Sequence, residues 1–166
     1  MHATNHPLGR LTCYITGGTT VVIDGQQRCT TCVILASVVR DIAFERGLLV
    51  VAEKIQRGFV GDQKGMEEWC KDRDTTRSGE ALPFLTLSPT YHDRAAIGAL
   101  MLPREYKVKD GGGWSRIYEA REWLYKQVSK VTASKTAASK HAERVLRSLP
   151  VLRSFTSPPL LLFAAF

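Results

Sequence analysis

The chain has 166 residues, 44% apolar and 23% charged, enough for one domain with a real core and cramped for two. Its longest apolar run, Leu160 to Phe166, is about a third of a membrane-crossing helix, and its N-terminus lacks the basic start and apolar stretch of a secretory signal. A membrane partner is therefore not expected, and the location expected by default is intracellular, cytoplasmic or nuclear. The net charge of +7 is uneven: residues 1–100 hold eleven Lys/Arg and eleven Asp/Glu, whereas residues 101–166 hold twelve against five. A basic C-terminal third either favours a polyanion such as DNA through counterion release or is a solvated helical face.

In chain order, Leu8 to Ile15 alternates, with Leu11, Cys13 and Ile15 on one face and Arg10, Thr12 and Tyr14 on the other, the pattern of a half-buried strand. Thr16-Gly17-Gly18-Thr19 is a turn signal, and Thr20 to Ile23 is β-branched and apolar, so the two runs predict a β-hairpin. Asp24-Gly25 ends the second strand. From about Arg28 the period becomes helical: Cys32, Leu35, Ala36, Val39, Ile42 and Ala43 form a stripe, with Arg40, Asp41 and Glu45 elsewhere. Val33, Ile34 and Val38 widen that stripe, which predicts a helix buried on most sides. Gly47 follows as a natural stop, and a short helix is expected over Leu48 to Arg57.

Residues 61–80 are polar and aperiodic and read as a surface loop. Ala81 to Leu87 is a candidate strand with Pro83 at an edge or entry position. Thr90 is placed to cap a helix running to Leu102, with Asp93 at its third helical position. After Gly111-Gly112-Gly113 two helices are expected. One spans Ser115 to Val131 with Ile117, Leu124, Tyr125, Val128 and Val131 inward; the other spans Ser134 to Leu149 with Ala138, Ala142, Val145, Leu146 and Leu149 inward. No internal repeat is visible.

Cysteines and histidines set limits on the chemistry. Cys13, Cys29, Cys32 and Cys70 are too few for a disulfide scaffold and lack a second pair to complete a zinc site. Cys29-Thr30-Thr31-Cys32 has the spacing of a redox motif, yet both thiols also fit as small apolar helix residues. His2, His6, His92 and His141 are scattered outside any metal-ligand pattern, and His92 reads as a turn residue.

The candidate site is the turn between the second strand and the long helix. A helix N-terminus presents backbone N–H groups to an anion. Gly25 permits the turn and close approach of a ligand. Gln26 and Gln27 offer amides, and Arg28 offers a planar fork that matches phosphate oxygens. Thr30 and Thr31 can cap the helix or donate to a ligand. Asp24 can orient Arg28, hold a water or bind Mg²⁺ alongside phosphate oxygens. An ordinary Asp-Gly turn with a surface ion pair would use the same residues.

Val21-Val22-Ile23-Asp24-Gly25-Gln26-Gln27-Arg28-Cys29-Thr30-Thr31 closely resembles the signature of the GmrSD-type restriction endonuclease N-terminal domain, in which Ile-Asp-Gly-Gln-Gln-Arg-Leu-Thr-Thr is typical. Pro7-Leu8-Gly9-Arg10-Leu11 is similar to that family's strand with a Leu-Gly step. Leu85-Thr86-Leu87-Ser88-Pro89 followed by Asp93-Arg94 resembles its later strand and helix start. The resemblance covers roughly residues 7–102, and more loosely the helices to 149. It implies a ParB/sulfiredoxin-like nuclease fold and nucleotide-dependent action on modified foreign DNA.

At the matching positions the resemblance casts Arg28 as phosphate ligand and catalytic residue, with Asp24 as the catalytic metal or water orienter. Gly25, Gln26, Gln27, Thr30 and Thr31 complete the nucleotide loop. The implied cofactors are a nucleoside triphosphate and Mg²⁺, and the implied partners are DNA with a separate nuclease module or a second copy of the chain. Members normally carry a further strand ahead of the Leu-Gly strand and an Asn- and Gly-containing segment after the helices. Neither has a counterpart here, so the chain is expected to be a truncated copy with one sheet edge exposed.

The resulting expectation is an α+β fold: a small, mixed or antiparallel sheet with a strand–turn–helix phosphate loop, followed by helices. Residues 1–102 are assigned to the nucleotide-binding core, 103–150 to a helical extension and 151–166 to an atypical apolar tail. The expected function is a nucleotide-binding, NTP-hydrolysing domain of a DNA-targeting endonuclease. The alternative is a catalytically inactive module that binds nucleic acid or a partner.

Overall fold

β-Branched residues at both sides of the Gly17-Gly18 pair put the first two segments into a hairpin. The computed structural model describes residues 9–16, 19–62, 64, 86–88, 97, 115–133, 136, 140 and 161–163. Strand β1 (Thr12–Thr16) runs antiparallel to β2 (Thr19–Asp24), with Thr16 opposite Thr19 and Tyr14 opposite Val21. The register shifts between Thr12 and Cys13, so Thr12 faces Asp24 while Cys13 faces Val22. This irregularity falls beside the turn that leads into the first helix. The expected strand start at Leu8 moves to Thr12, and Gly9, Arg10 and Leu11 enter it unpaired.

Two short strands complete a mixed sheet. β3 (Leu87–Ser88) and β4 (Leu161–Phe163) give the order β1-β2-β4-β3, with β2 and β3 both parallel to β4. The segment that the sequence sets apart as an apolar tail thus supplies a strand between β2 and β3. Inner position explains β2: Thr20, Val21 and Val22 are all buried, so both its faces are covered. β1 is the terminal strand of the described sheet, and Ile15, expected on its inward face, is 77% exposed. The α+β class expected from the sequence is observed.

Helix α1 (Gln26–Glu45) starts two residues earlier than its period indicates. Cys29, Val33, Ile34, Ala36, Val38, Val39, Ile42 and Ala43 are buried around its circumference, as the wide apolar stripe predicts. Val22 and Leu87 of the sheet join this core, as do Ile55, Phe59 and Val60 from the next segment and Val128. Gly47 ends the helix as expected: its N–H donates to the Phe44 carbonyl (2.9 Å) and that of Leu48 to Ala43 (2.8 Å), the paired bonds of a Schellman stop. Helix α2 (Leu49–Ile55) follows and widens into a π-helical turn over Gln56–Val60.

Helix α3 (Ser115–Val131) lies where the sequence places it and packs on α1. Ile117, Leu124 and Tyr125 are half-buried and Val128 buried, but Val131 is 63% exposed, against expectation. It is the last residue of the helix, beyond the packed turns. Of the helix expected over Thr90 to Leu102 only Ile97 is described, helical and buried; of that over Ser134 to Leu149 only Thr136 and Lys140, both helical and exposed. Residues 81–85 and most of 61–80 lie outside the described residues.

A buried ionic cluster joins the helices. Arg40 donates through Nε (2.9 Å) and Nη2 (2.7 Å) to Asp41 Oδ1, while Arg121 Nη2 of α3 donates to Asp41 Oδ2 (2.5 Å). Arg40 Nη1 also reaches Gln56 Oε1 in the π-turn (2.5 Å), and Gln56 Nε2 donates to the Gly61 carbonyl (3.1 Å). All four side chains are buried. Arg40 and Asp41 lie off the apolar stripe, as the sequence places them, yet are buried, because other elements bring them partners that the helix period cannot show. Burial pulls the Arg40 guanidinium below its usual pKa and Asp41 pulls it back. Removing one member of a buried ion pair strands its partners. Asp41→Ala is accordingly expected to lower the unfolding free energy by about 3–5 kcal/mol in urea denaturation, with Arg40 and Arg121 left facing each other.

Candidate functional site

The expected loop lies at the carboxyl end of β2, where the chain must reverse from strand to helix. Gly25 caps α1 with φ +97°, a left-handed conformation that costs L side chains strain. Space is tight as well: a Cβ here would stand 2.2 Å from Leu11 Cδ2, so that side chain would have to move, and 3.4 Å from the Arg10 carbonyl oxygen. The Asp-Gly turn is therefore built on contact with the segment entering β1. The first α1 bond runs from the Cys29 N–H to the Gly25 carbonyl (3.0 Å), so the N–H groups preceding it point out of the helix end. No side-chain cap and no acidic residue occupies this first turn among the described residues.

Arg28 is held at both sides. Its Nη1 donates to the Arg10 carbonyl (2.6 Å) and stands 3.7 Å from Asp24 Oδ2. Its Nε lies 3.2 Å from where a Cβ on Gly9 would be, so the guanidinium passes close to Gly9 in space that a side chain there would fill. The Arg28 side chain is 46% exposed and that of Asp24 68%, which makes this a weak, screened surface pair. The Arg10 carbonyl is the partner that sequence reading missed. A backbone carbonyl carries no residue signal; only Gly9, whose missing side chain leaves room for Arg28, marks the place.

The other site residues divide. Gln27 is exposed at the loop surface. Gln26 is half-buried and its Nε2 donates back to the Val22 carbonyl (3.1 Å). Thr30 and Thr31 sit in the second turn, beyond the cap, so neither can cap α1; the Thr31 hydroxyl donates to the Gln27 carbonyl (2.8 Å). Asp24, Gly25, Gln27 and Arg28 are thus gathered at the turn, while Gln26 and Thr31 point a polar group into the backbone. No cluster of three or more His, Cys, Asp or Glu side chains suited to a metal ion occurs among the described residues.

The thiols beside the loop are free. Burial, with smaller contributions from Cys32 and Cys13, pushes the Cys29 thiol up to about 11, and burial also raises Cys13 and Cys32. Raised values oppose the thiolate that redox catalysis needs, which favours the apolar reading of the Cys29–Cys32 spacing. Compared with known proteins, the chain matches no family model, no curated protein and no solved structure.

Two outcomes are expected from this geometry. Gly25→Ala combines left-handed strain with a clash on Leu11 and should lower stability by at least about 1–2 kcal/mol in chemical denaturation. Because the folded state holds the Cys29 proton more tightly than the unfolded chain, its contribution is complete below about pH 9. That contribution is lost as pH rises through about 11. Stability measured across that window should fall, and the fall should shrink in Cys29→Ala.

Proposed function

We propose that residues 24–31 form a phosphate site for a nucleoside triphosphate with Mg²⁺, in a domain that acts with a DNA-directed endonuclease. The observation that supports this reading is the conjunction at one turn: outward backbone N–H groups of α1, a half-exposed Arg28, and the carboxyl ends of parallel strands. Ligands of open sheets containing parallel strands bind at that edge, and phosphates bind at helix N-termini. The likeness of the loop to the GmrSD-type signature points the same way and gives the site its biological sense.

In this reading Arg28 is the phosphate ligand. Its Nη1 is held by Arg10, and that bond fixes the plane of the fork for an incoming phosphate. Gly25 admits the ligand close to the backbone, and Gln27 supplies an exposed amide. Asp24 orients Arg28 and would be the carboxylate to hold a Mg²⁺, which would neutralise phosphate charge there, or to position a water. Gln26 and Thr30 flank the loop, and Thr31 keeps the first turns rigid.

One observation favours the alternative of a catalytically inactive binding module. The Gln26 amide, the Thr31 hydroxyl and Arg28 Nη1 each already serve a backbone carbonyl, so part of the loop's polarity maintains the fold. Binding of nucleotide with and without Mg²⁺ separates the possibilities. Loss of a charge-assisted phosphate contact in Arg28→Ala should weaken binding about 10- to 150-fold. Mg²⁺-dependent turnover by the wild type supports the hydrolase, whereas binding without turnover supports the inactive module. Absence of binding by the folded wild type overturns the phosphate site.

A further inference from the structure

We infer that the outer face of α3 is a stacking surface for single-stranded nucleic acid, centred on Trp123. This face is separate from the residue 24–31 loop, and it extends the proposed function by supplying a surface for the polynucleotide itself. Trp123 is 61% exposed, the largest apolar side chain that α3 leaves in water, with Tyr118 and Val131 also exposed on the same helix. Helical spacing puts Glu119, Lys126 and Gln127 one turn away from it, and Arg116 and Lys130 two turns away. Arg116, Glu119, Lys126 and Lys130 are all exposed, whereas Ile117, Arg121, Leu124 and Val128 turn inward to α1. Cations thus flank the ring at both ends of the face.

The acids do not cancel this arrangement. Glu122 lies beside Arg121, its Oε1 3.3 Å from Nη1, which leaves Glu119 as the one carboxylate beside the ring on α3. Among the exposed charges of α3, Arg116, Lys126 and Lys130 outnumber Glu119. An exposed indole within a basic surface matches the two requirements of single-strand recognition: a platform for the face of a base and cations for the flanking phosphates. A duplex meets only the second, because its base faces are already stacked. Acidic partners without aromatic rings would use the cations and leave Trp123 idle.

Fluorescence anisotropy of labelled oligothymidylate at low salt tests the assignment on the full chain. Wild type should bind the single strand more tightly than the same length of duplex. Trp123→Ala should weaken single-strand binding roughly 5- to 150-fold, while Trp123→Phe retains most of it. The double variant Lys126→Gln, Lys130→Gln should lower the slope of log affinity against log salt by about 1.4. Because Trp123 is exposed, thermal unfolding of its variants should match wild type. Trp123→Ala should leave nucleotide binding at the residue 24–31 loop unchanged, so failure of the stacking surface is distinguishable from failure of the phosphate site. Equal binding by Trp123→Ala, no preference for single strands, or no binding at low salt overturns the inference.

Discussion

Asp41 sets the arrangement of the helical layer. Two guanidiniums, Arg40 from its own helix and Arg121 from α3, converge on one carboxylate with almost no water nearby. Bringing such charges out of water is costly, and attraction offsets that cost only where geometry is good. Apolar residues in their place could hold the helices as firmly, but without fixing one register between them. Here α3 settles where Arg121 reaches Asp41, and there Tyr125 also donates to Glu45 (2.6 Å). The π-turn belongs to the same constraint, since it puts Gln56 against Arg40. One ionic junction thus orients three segments that the hydrophobic effect alone would leave free to slide.

The same helix that carries this junction in its second half presents the loop at its first residue. α1 is a twenty-residue rod buried along most of its length, so its N-terminus is a fixed point relative to the sheet. A phosphate site benefits from that rigidity, because groups held by a packed scaffold lose little freedom when a ligand arrives. Arg28 adds a second tie by fastening the strand entry at Arg10 to the helix. The price is that the side chain best suited to bind an anion also holds the fold together at this corner.

Local signals carried much of this into the sequence. The hairpin follows from alternation around a glycine pair, α1 from its apolar period, and its end from Gly47, each set by neighbours within a few residues. The turn at Asp24-Gly25 was legible because glycine is favoured at a left-handed cap lying close to Leu11. What escaped depends on distant partners. Nothing near Arg40 and Asp41 in sequence names Gln56 and Arg121 as their partners, and Thr30 and Thr31 look like caps until the helix is seen to begin at Gln26. Ile15 alternates correctly yet stays exposed, since period fixes a face but not what covers it. Leu161–Phe163 gave no strand signal of its own, being short and preceded by Pro158 and Pro159.

That last strand has a bearing on how the chain reaches its fold. β4 lies between β2 and β3, so Thr20 meets Leu161 across nearly the whole sequence. Contacts of such separation close large loops before they return any stabilisation, which slows folding. During synthesis the hairpin and α1 emerge early, but β2 keeps one flank unpaired until residues 161–163 have left the ribosome. Over that interval an apolar strand, Val21-Val22-Ile23, is open to wrong partners. The hairpin and α1 can therefore form from local contacts, whereas the sheet is closed only by a partner that the chain supplies more than a hundred residues later.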